Sequence, residues 1–207
     1  SVDEWGVWAV PSNTVNAEID QKPWGIAPAI SEQIYTLEDA LLFAGMQMVI
    51  LRNADVIKIA CQSLLTNISA CIMTEKNGEY WLQTIYYPFH YFATYAKGTV
   101  LKTASIGPCY SCAEFDGVPY VDSLVVWNEE DQELVIFAVN RSEEELQKAE
   151  VDLQDFEIQH VIESICMTAE NKKMTNMEQH DAVIPKKEKN VEIETGRCQI
   201  TLQPLSF

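Results

Sequence analysis

The sequence predicts a two-part fold, α/β up to about residue 100 and all-β after it. Two observations carry this. Before residue 100, a segment with helical periodicity leads directly into a run of branched residues. After it, short β-rich runs follow one another at roughly ten-residue spacing, as in a sandwich or barrel. The 207 residues are 47% hydrophobic and 22% charged, which is ordinary globular composition and enough chain to bury a core.

The elements are expected in the following order. Residues 2–8 form a short apolar run broken by Asp3, Glu4 and Gly6. Residues 11–23, bounded by prolines, read as a long loop. Thr36 offers an N-cap, with Glu38 and Asp39 in the first turn where the helix dipole favours acids. Leu37, Leu41, Ala44, Met48 and Leu51 then recur at helical spacing, which predicts a helix over 37–53. Residues 55–60, with Val56, Ile57 and Ile59, read as a buried strand. A helix running straight into a buried strand is the rhythm of a βα-barrel or a doubly wound sheet. Lys76-Asn77-Gly78 marks a turn, and the aromatic segment 81–95 contains a helix with Pro88 in its first turn and Gly98 as its stop. Spacing in that segment favours a core helix over a carbohydrate platform.

In the second part, 120–127 and 133–140 are strand runs joined by the polar turn Asn128-Glu129-Glu130-Asp131-Gln132, and they should pair antiparallel. Further strands are expected at 147–153, 157–166, 191–193 and 198–202, with polar loops at 172–179 and 185–190. Together these make a small β-sandwich. Glu143-Glu144-Glu145 is most simply a solvated turn.

Charge narrows the partners. With 31 acidic and 14 basic residues the formal net charge is −17, a field that repels phosphate backbones and anionic lipid heads. Neither nucleic acid nor a membrane is an expected partner. No apolar run reaches the roughly 18 residues of a spanning helix. Ser1-Val2-Asp3-Glu4-Trp5 lacks the basic and apolar regions of a signal peptide. The six cysteines, at 61, 71, 109, 112, 166 and 198, lack the density of a disulfide scaffold and read as reduced, buried thiols. Cys109 and Cys112 form one C-x-x-C, half of a zinc site or a redox pair. With no second pair and three scattered histidines (His90, His160, His180), no metal and no cofactor is expected.

Ser1-Val2-Asp3-Glu4-Trp5-Gly6-Val7-Trp8 is similar to the segment of glycoside hydrolase family 51 α-L-arabinofuranosidases that ends barrel strand seven. The similarity continues in register through Trp24-Gly25-Ile26-Ala27-Pro28, Tyr35-Thr36-Leu37-Glu38-Asp39-Ala40-Leu41 and Leu51-Arg52-Asn53-Ala54-Asp55-Val56-Ile57-Lys58-Ile59-Ala60. Gln83-Thr84-Ile85-Tyr86-Tyr87-Pro88-Phe89 and Gln203-Pro204-Leu205-Ser206 extend it to the end of the chain. One such motif would be weak evidence; an ordered series over nearly the whole length is strong.

The resemblance implies that residues 1–100 are the last two βα units of a (β/α)8 barrel and that 101–207 are a jelly-roll-like β-sandwich. It implies a retaining, exo-acting enzyme that removes terminal L-arabinofuranose from arabinose-containing oligosaccharides or polysaccharides. A cytoplasmic location and a homo-oligomer, commonly a hexamer, go with it. Retaining hydrolysis uses one carboxylate as nucleophile and a second, about 5 to 5.5 Å away, as acid/base. The resemblance gives the nucleophile's role to Glu4, at the C-terminal end of a strand where barrel enzymes keep their active residues. The acid/base glutamate belongs to strand four, upstream of Ser1, so these 207 residues alone are expected to be inactive. Trp8 is a candidate wall for the sugar, its apolar face suited to C–H bonds and its N–H to a hydroxyl. Trp5 reads as barrel-top packing, Trp24 as either a substrate rim or a loop anchor, and Asp55 and Lys58 as structural ions. Two departures stand out: Gly6 replaces a common asparagine, and Leu64 falls where many members carry a sugar-contacting glutamine, leaving Gln62, two residues away, as the candidate. A non-catalytic carbohydrate-binding or scaffold protein is the alternative, and a redox or metal protein built on Cys109 and Cys112 is a third reading.

Overall fold

A computed structural model describes residues 1–8, 24–26, 28–154 and 156–207. Among these, fifteen short strands and two helices make a mostly-β fold with few helices. The loop expected at 11–23 lies outside the described residues.

β1 (Val2–Trp5) pairs parallel with β2 (Ala60–Gln62), with Val2 opposite Ala60 and Trp5 opposite Gln62 and an irregularity between them. The intervening helix α1 (Leu37–Arg52) starts as the sequence predicts. Thr36 and Asp39 form a reciprocal capping box. Two more first-turn amides are satisfied from far along the chain, Leu37 by the Met174 carbonyl and Glu38 by that of Lys172, each at 2.9 Å. The face containing Leu37, Ala40, Leu41, Ala44 and Met48 is buried. β3 (Leu64–Thr66), β4 (Ala70–Thr74) and β5 (Tyr80–Leu82) form a small mixed sheet, with the Lys76-Asn77-Gly78 turn joining the last two. α2 (Tyr86–Tyr95) follows, and Phe92 stacks on Phe137 at 4.2 Å, so the aromatic run is core packing as expected.

β6 (Thr99–Leu101) joins the long hairpin of β9 (Val121–Asn128) and β10 (Glu133–Asn140), whose antiparallel register runs unbroken from Glu133–Asn128 to Asn140–Val121. β7 (Cys109–Tyr110) and β8 (Val118–Pro119) form a minor hairpin. A second three-stranded antiparallel sheet consists of β11 (Gln147–Asp152), β15 (Arg197–Leu202) and β14 (Val191–Glu194). β12 (Ile165–Cys166) and β13 (Lys186–Lys187) pair alone.

Two hydrophobic clusters organise the chain. The first joins Trp5, Val7, Tyr35 and the α1 face to Phe92, Leu124, Val126, Phe137 and Val139. The second collects Leu153, Cys198, Ile200 and Leu202, with Val121, Leu134, Ile136 and Ala138 packed against them. The β9–β10 hairpin therefore contributes to both clusters, one from each face. That explains its nearly continuous apolar sequence, since a sheet face is free to be polar only where water covers it.

Several expectations need correction. The strand expected at 55–60 is confined to Ala60–Gln62. Val56 and Ile57 amides turn back to the Asn53 carbonyl, so these branched residues continue the helix's exit turn. Val56 and Ile59 are 69% and 58% exposed. Asp55 and Lys58 consequently flank no buried strand, and the Lys58 ammonium donates to the Ala54 carbonyl at 2.6 Å. Of residues 157–166 only Ile165 and Cys166 pair, with Lys187 and Lys186 from the presumed loop at 185–190; strand propensity identifies an extended segment but not its partner. Gly98 is not the helix cap, which is Ala96. It has φ +119°, and a Cβ there would meet the Trp127 carbonyl oxygen at 2.2 Å, so glycine is needed for close approach of β9. All six cysteines are free, but only Cys71, Cys166 and Cys198 are buried; Cys61, Cys109 and Cys112 lie exposed on β2 and around β7.

Candidate active site

β1 alternates unevenly because of its irregular register. Asp3 and Glu4 face solvent, and Trp5 turns inward to pack on Phe43 with ring centroids 4.5 Å apart. Trp5 is thus the packing residue it was read to be. Parallel pairing then carries β2's end to the end of β1. The Ser63 amide donates to the Trp5 carbonyl at 3.0 Å, and the Ser63 hydroxyl donates to Glu4 Oε1 at 2.8 Å. Glu4 is an exposed carboxylate at a strand's C-terminal end with one oxygen oriented by a hydroxyl donor.

Trp8 is 50% exposed. Its indole lies over Gly6 so closely that a Cβ at residue 6 would sit 3.3 Å from two of its ring carbons. A side chain at residue 6 would require the ring to shift by a few tenths of an ångström. Between them Val7 is buried, and its carbonyl accepts a hydrogen bond from the Tyr35 hydroxyl at 2.9 Å. Burial pushes the Tyr35 phenol up to about 12, so it remains a neutral donor at physiological pH.

Gln62 is placed differently. Its Nε2 donates to the Ser69 carbonyl at 3.0 Å and its Oε1 accepts from the Cys71 thiol at 3.7 Å, so its amide is engaged inside the chain. The next residue, Ser63, just past the end of β2, is the one that reaches Glu4. Leu64 is exposed on β3, and Trp24 is fully exposed. Sequence reasoning missed Ser63 because its role depends on the register of β1 against β2. Tyr35 and Gln83 were within recognised motifs, but their contacts are long-range.

Two grooves among the described residues lie elsewhere. A groove of about 840 Å³ runs between the outer face of α1, including Leu42 and Val49, and the segment containing Tyr120, Arg141 and Glu143. A smaller one of about 350 Å³ is lined by Asn190, Gln199 and Thr201. Neither contains Glu4, Trp8 or Gln62. Among the described residues no three or more His, Cys, Asp or Glu side chains group as metal ligands. Cys109 and Cys112 are separate exposed thiols, His90 stacks on Tyr86, and His180 stacks on Trp81.

Residues 3–206 match the family model described as the α-L-arabinofuranosidase C-terminal domain. Over all 207 residues the chain is 42% identical to a protein named intracellular exo-α-(1→5)-L-arabinofuranosidase from Halalkalibacterium halodurans and 39% identical to one of the same name from Bacillus subtilis. It spans 41% of the length of each. A family 51 α-L-arabinofuranosidase from Bifidobacterium longum superposes on 98% of the chain with TM-score 0.83 and 28% identity, over 39% of its own chain. The arabinofuranosidase of Xanthomonas axonopodis shares the fold at TM-score 0.82 and 23% identity, over 99% of this chain and 39% of its own. The chain therefore belongs to the α-L-arabinofuranosidase C-terminal domain family, within glycoside hydrolase family 51.

Proposed function

We propose that this chain acts as the C-terminal part of a retaining, exo-acting α-L-arabinofuranosidase with Glu4 as nucleophile. The observation that carries the reading is the placement of Glu4 at the C-terminal end of a strand paired in parallel, with one oxygen held by the Ser63 hydroxyl, in a chain of this family. A nucleophilic carboxylate must be ionised and aimed, and a hydroxyl donor serves both needs. Trp8 is the proposed wall against the sugar, because it is half exposed four residues beyond Glu4. Gln62 would contact sugar only after releasing Ser69 and Cys71, which makes it the weaker of the two candidate contacts.

Residues 1–100 are in this reading the last two βα units of a (β/α)8 barrel, and 101–207 a jelly-roll-like sandwich. The exposed Leu64 and Leu65 on β3 support the first part: a barrel closes its edges and fills its interior from every strand, and such apolar side chains suit neighbours of that kind. The proposed substrates are arabinose-containing oligosaccharides or polysaccharides, as the relatives' names suggest. Those names also support an intracellular, cytoplasmic setting. A homo-oligomer is proposed for the protein at its relatives' length. Among the described residues no helix is long and apolar enough to cross a membrane.

The test is Glu4→Ala in the protein at full length. Turnover of an aryl α-L-arabinofuranoside should be abolished, and added azide should attack the opened face to give the β-linked glycosyl azide. Rates near wild type in Glu4→Ala would refute the assignment.

A further inference from the structure

Five polar side chains are buried in the part of the chain that contacts Val7 and Gln62: Gln33, Tyr35, Ser69, Gln83 and Thr84. Burying so many polar groups is unfavourable unless each finds a partner, and here the partners are shared. Gln83 is the knot. Its Oε1 accepts from the Tyr35 amide at 2.9 Å, and its Nε2 donates to the carbonyls of Gln33 at 2.9 Å and Ala70 at 2.8 Å. The Ser69 hydroxyl accepts from Gln33 Nε2 at 3.3 Å, while the Ser69 carbonyl accepts from Gln62 Nε2 at 3.0 Å.

This network reaches both sides of the Glu4–Ser63 hydrogen bond. On one side the Tyr35 hydroxyl donates to the Val7 carbonyl, three residues beyond Glu4 and next to Trp8. On the other, Gln62 immediately precedes Ser63. The ring of Tyr35 belongs to the first hydrophobic cluster beside Trp5 and Leu37, a place that phenylalanine would fill equally well. Apolar packing thus accounts for the ring and leaves the hydroxyl to its polar partners, the Val7 carbonyl and the Ser69 side chain.

We propose that Tyr35 is a positioning residue of the active site: held by Gln83, its hydroxyl fixes the Val7 carbonyl and so the approach of Glu4 and Trp8 to the sugar. The proposal rests on the reading of Glu4 as nucleophile. It treats the buried network as a rigid support, since a reacting carboxylate displaced by about 1 Å can lose on the order of a hundredfold in rate. Burial keeps the phenol protonated, so the support does not vary across the pH range of ordinary catalysis.

Tyr35→Phe removes one oxygen and keeps the ring. In the full-length protein, active sites are counted by covalent labelling with an epoxide-bearing arabinofuranose mimic, so that misfolded molecules are not scored. Per labelled site, kcat on an aryl arabinofuranoside should fall about tenfold or more with KM within about twofold, the pattern of an interaction made in the transition state. A purely structural role would lower the melting temperature and leave kcat per labelled site unchanged. That result, with Glu4→Ala inactive, overturns the positioning role and leaves the nucleophile standing. Activity in Glu4→Ala instead overturns the reading beneath it. Should Tyr35→Phe fail to fold, Ser69→Ala loosens the same network from its other side. A fall of about threefold or more in kcat per labelled site then supports the role, and an unchanged value contradicts it.

Discussion

The β9–β10 hairpin and the β1–β2 pair differ in what covers them. The hairpin keeps register over eight residue pairs and buries apolar side chains on both faces, Leu124, Val126 and Phe137 in one cluster and Leu134 and Ile136 against the other. The β1–β2 pair is short and irregular. It sends Trp5 into the core and leaves Asp3, Glu4 and Cys61 in solvent, with exposed Val56 and Ile59 just upstream of β2. Stability and proposed chemistry are thus placed on different strands. The lesson is that the carboxylate proposed to react does not hold the fold together, so its strand end calls for a separate support, the role proposed for the Tyr35–Gln83 network.

The sharpest way to break this comparison is to weaken each region in turn. Phe137 is buried, stacks on Phe92 and fills the first cluster, so Phe137→Ala should destabilise the chain by about 3–5 kcal/mol in chemical denaturation. Glu4→Ala, at an exposed position, should change stability by no more than about 0.5 kcal/mol in the same experiment. Comparable losses from the two would mean that β1 is as structural as the hairpin.

Amide exchange should reveal the same division without mutation. Amides of Val125, Val126 and Phe137 should exchange only through global opening, and those of Val2–Trp5 on the order of a hundredfold faster or more. Equal protection would show that the packing of Trp5 and Val7 into the first cluster is enough to lock β1.

Much of this division was legible in the sequence. The two apolar runs around Asn128-Glu129-Glu130-Asp131-Gln132 specify the hairpin because turn chemistry and strand pattern agree locally. Thr36 and Asp39 specify the start of α1 for the same reason. Residues 55–60 misled because β-branched side chains report only a suitability for pleated surface, and here they continue an exit turn. Glu4 was found through its motif. Ser63, 59 residues away, was not, because its hydroxyl meets the carboxylate only through a strand register that no local pattern encodes. Gln62, the residue beside it, presents its amide to Ser69 and Cys71, contacts as little encoded by local pattern.

A smaller effect is expected at high pH. Burial pushes both the Tyr35 phenol and the Cys71 thiol, near the β1–β2 pair, up to about 12, from ordinary values of 10.0 and 9.0. The folded chain therefore holds these protons more tightly than the unfolded one. Their contribution to stability is complete below about pH 9 and is lost as pH rises towards 12. Denaturation midpoints should decline across that window, and Tyr35→Phe should make the decline shallower above pH 10. An identical slope in the variant would show that Tyr35 ionises as freely folded as unfolded.

The proposed role of Glu4 is to form the covalent bond to arabinose. The direct measurement is peptide mapping by mass spectrometry after the full-length protein has reacted with the epoxide-bearing arabinofuranose mimic. The account predicts one adduct, on Glu4, that is absent from Glu4→Ala and forms more slowly in Tyr35→Phe. An adduct on another carboxylate, or hydrolysis of the aryl substrate with inversion and no covalent species, would contradict it.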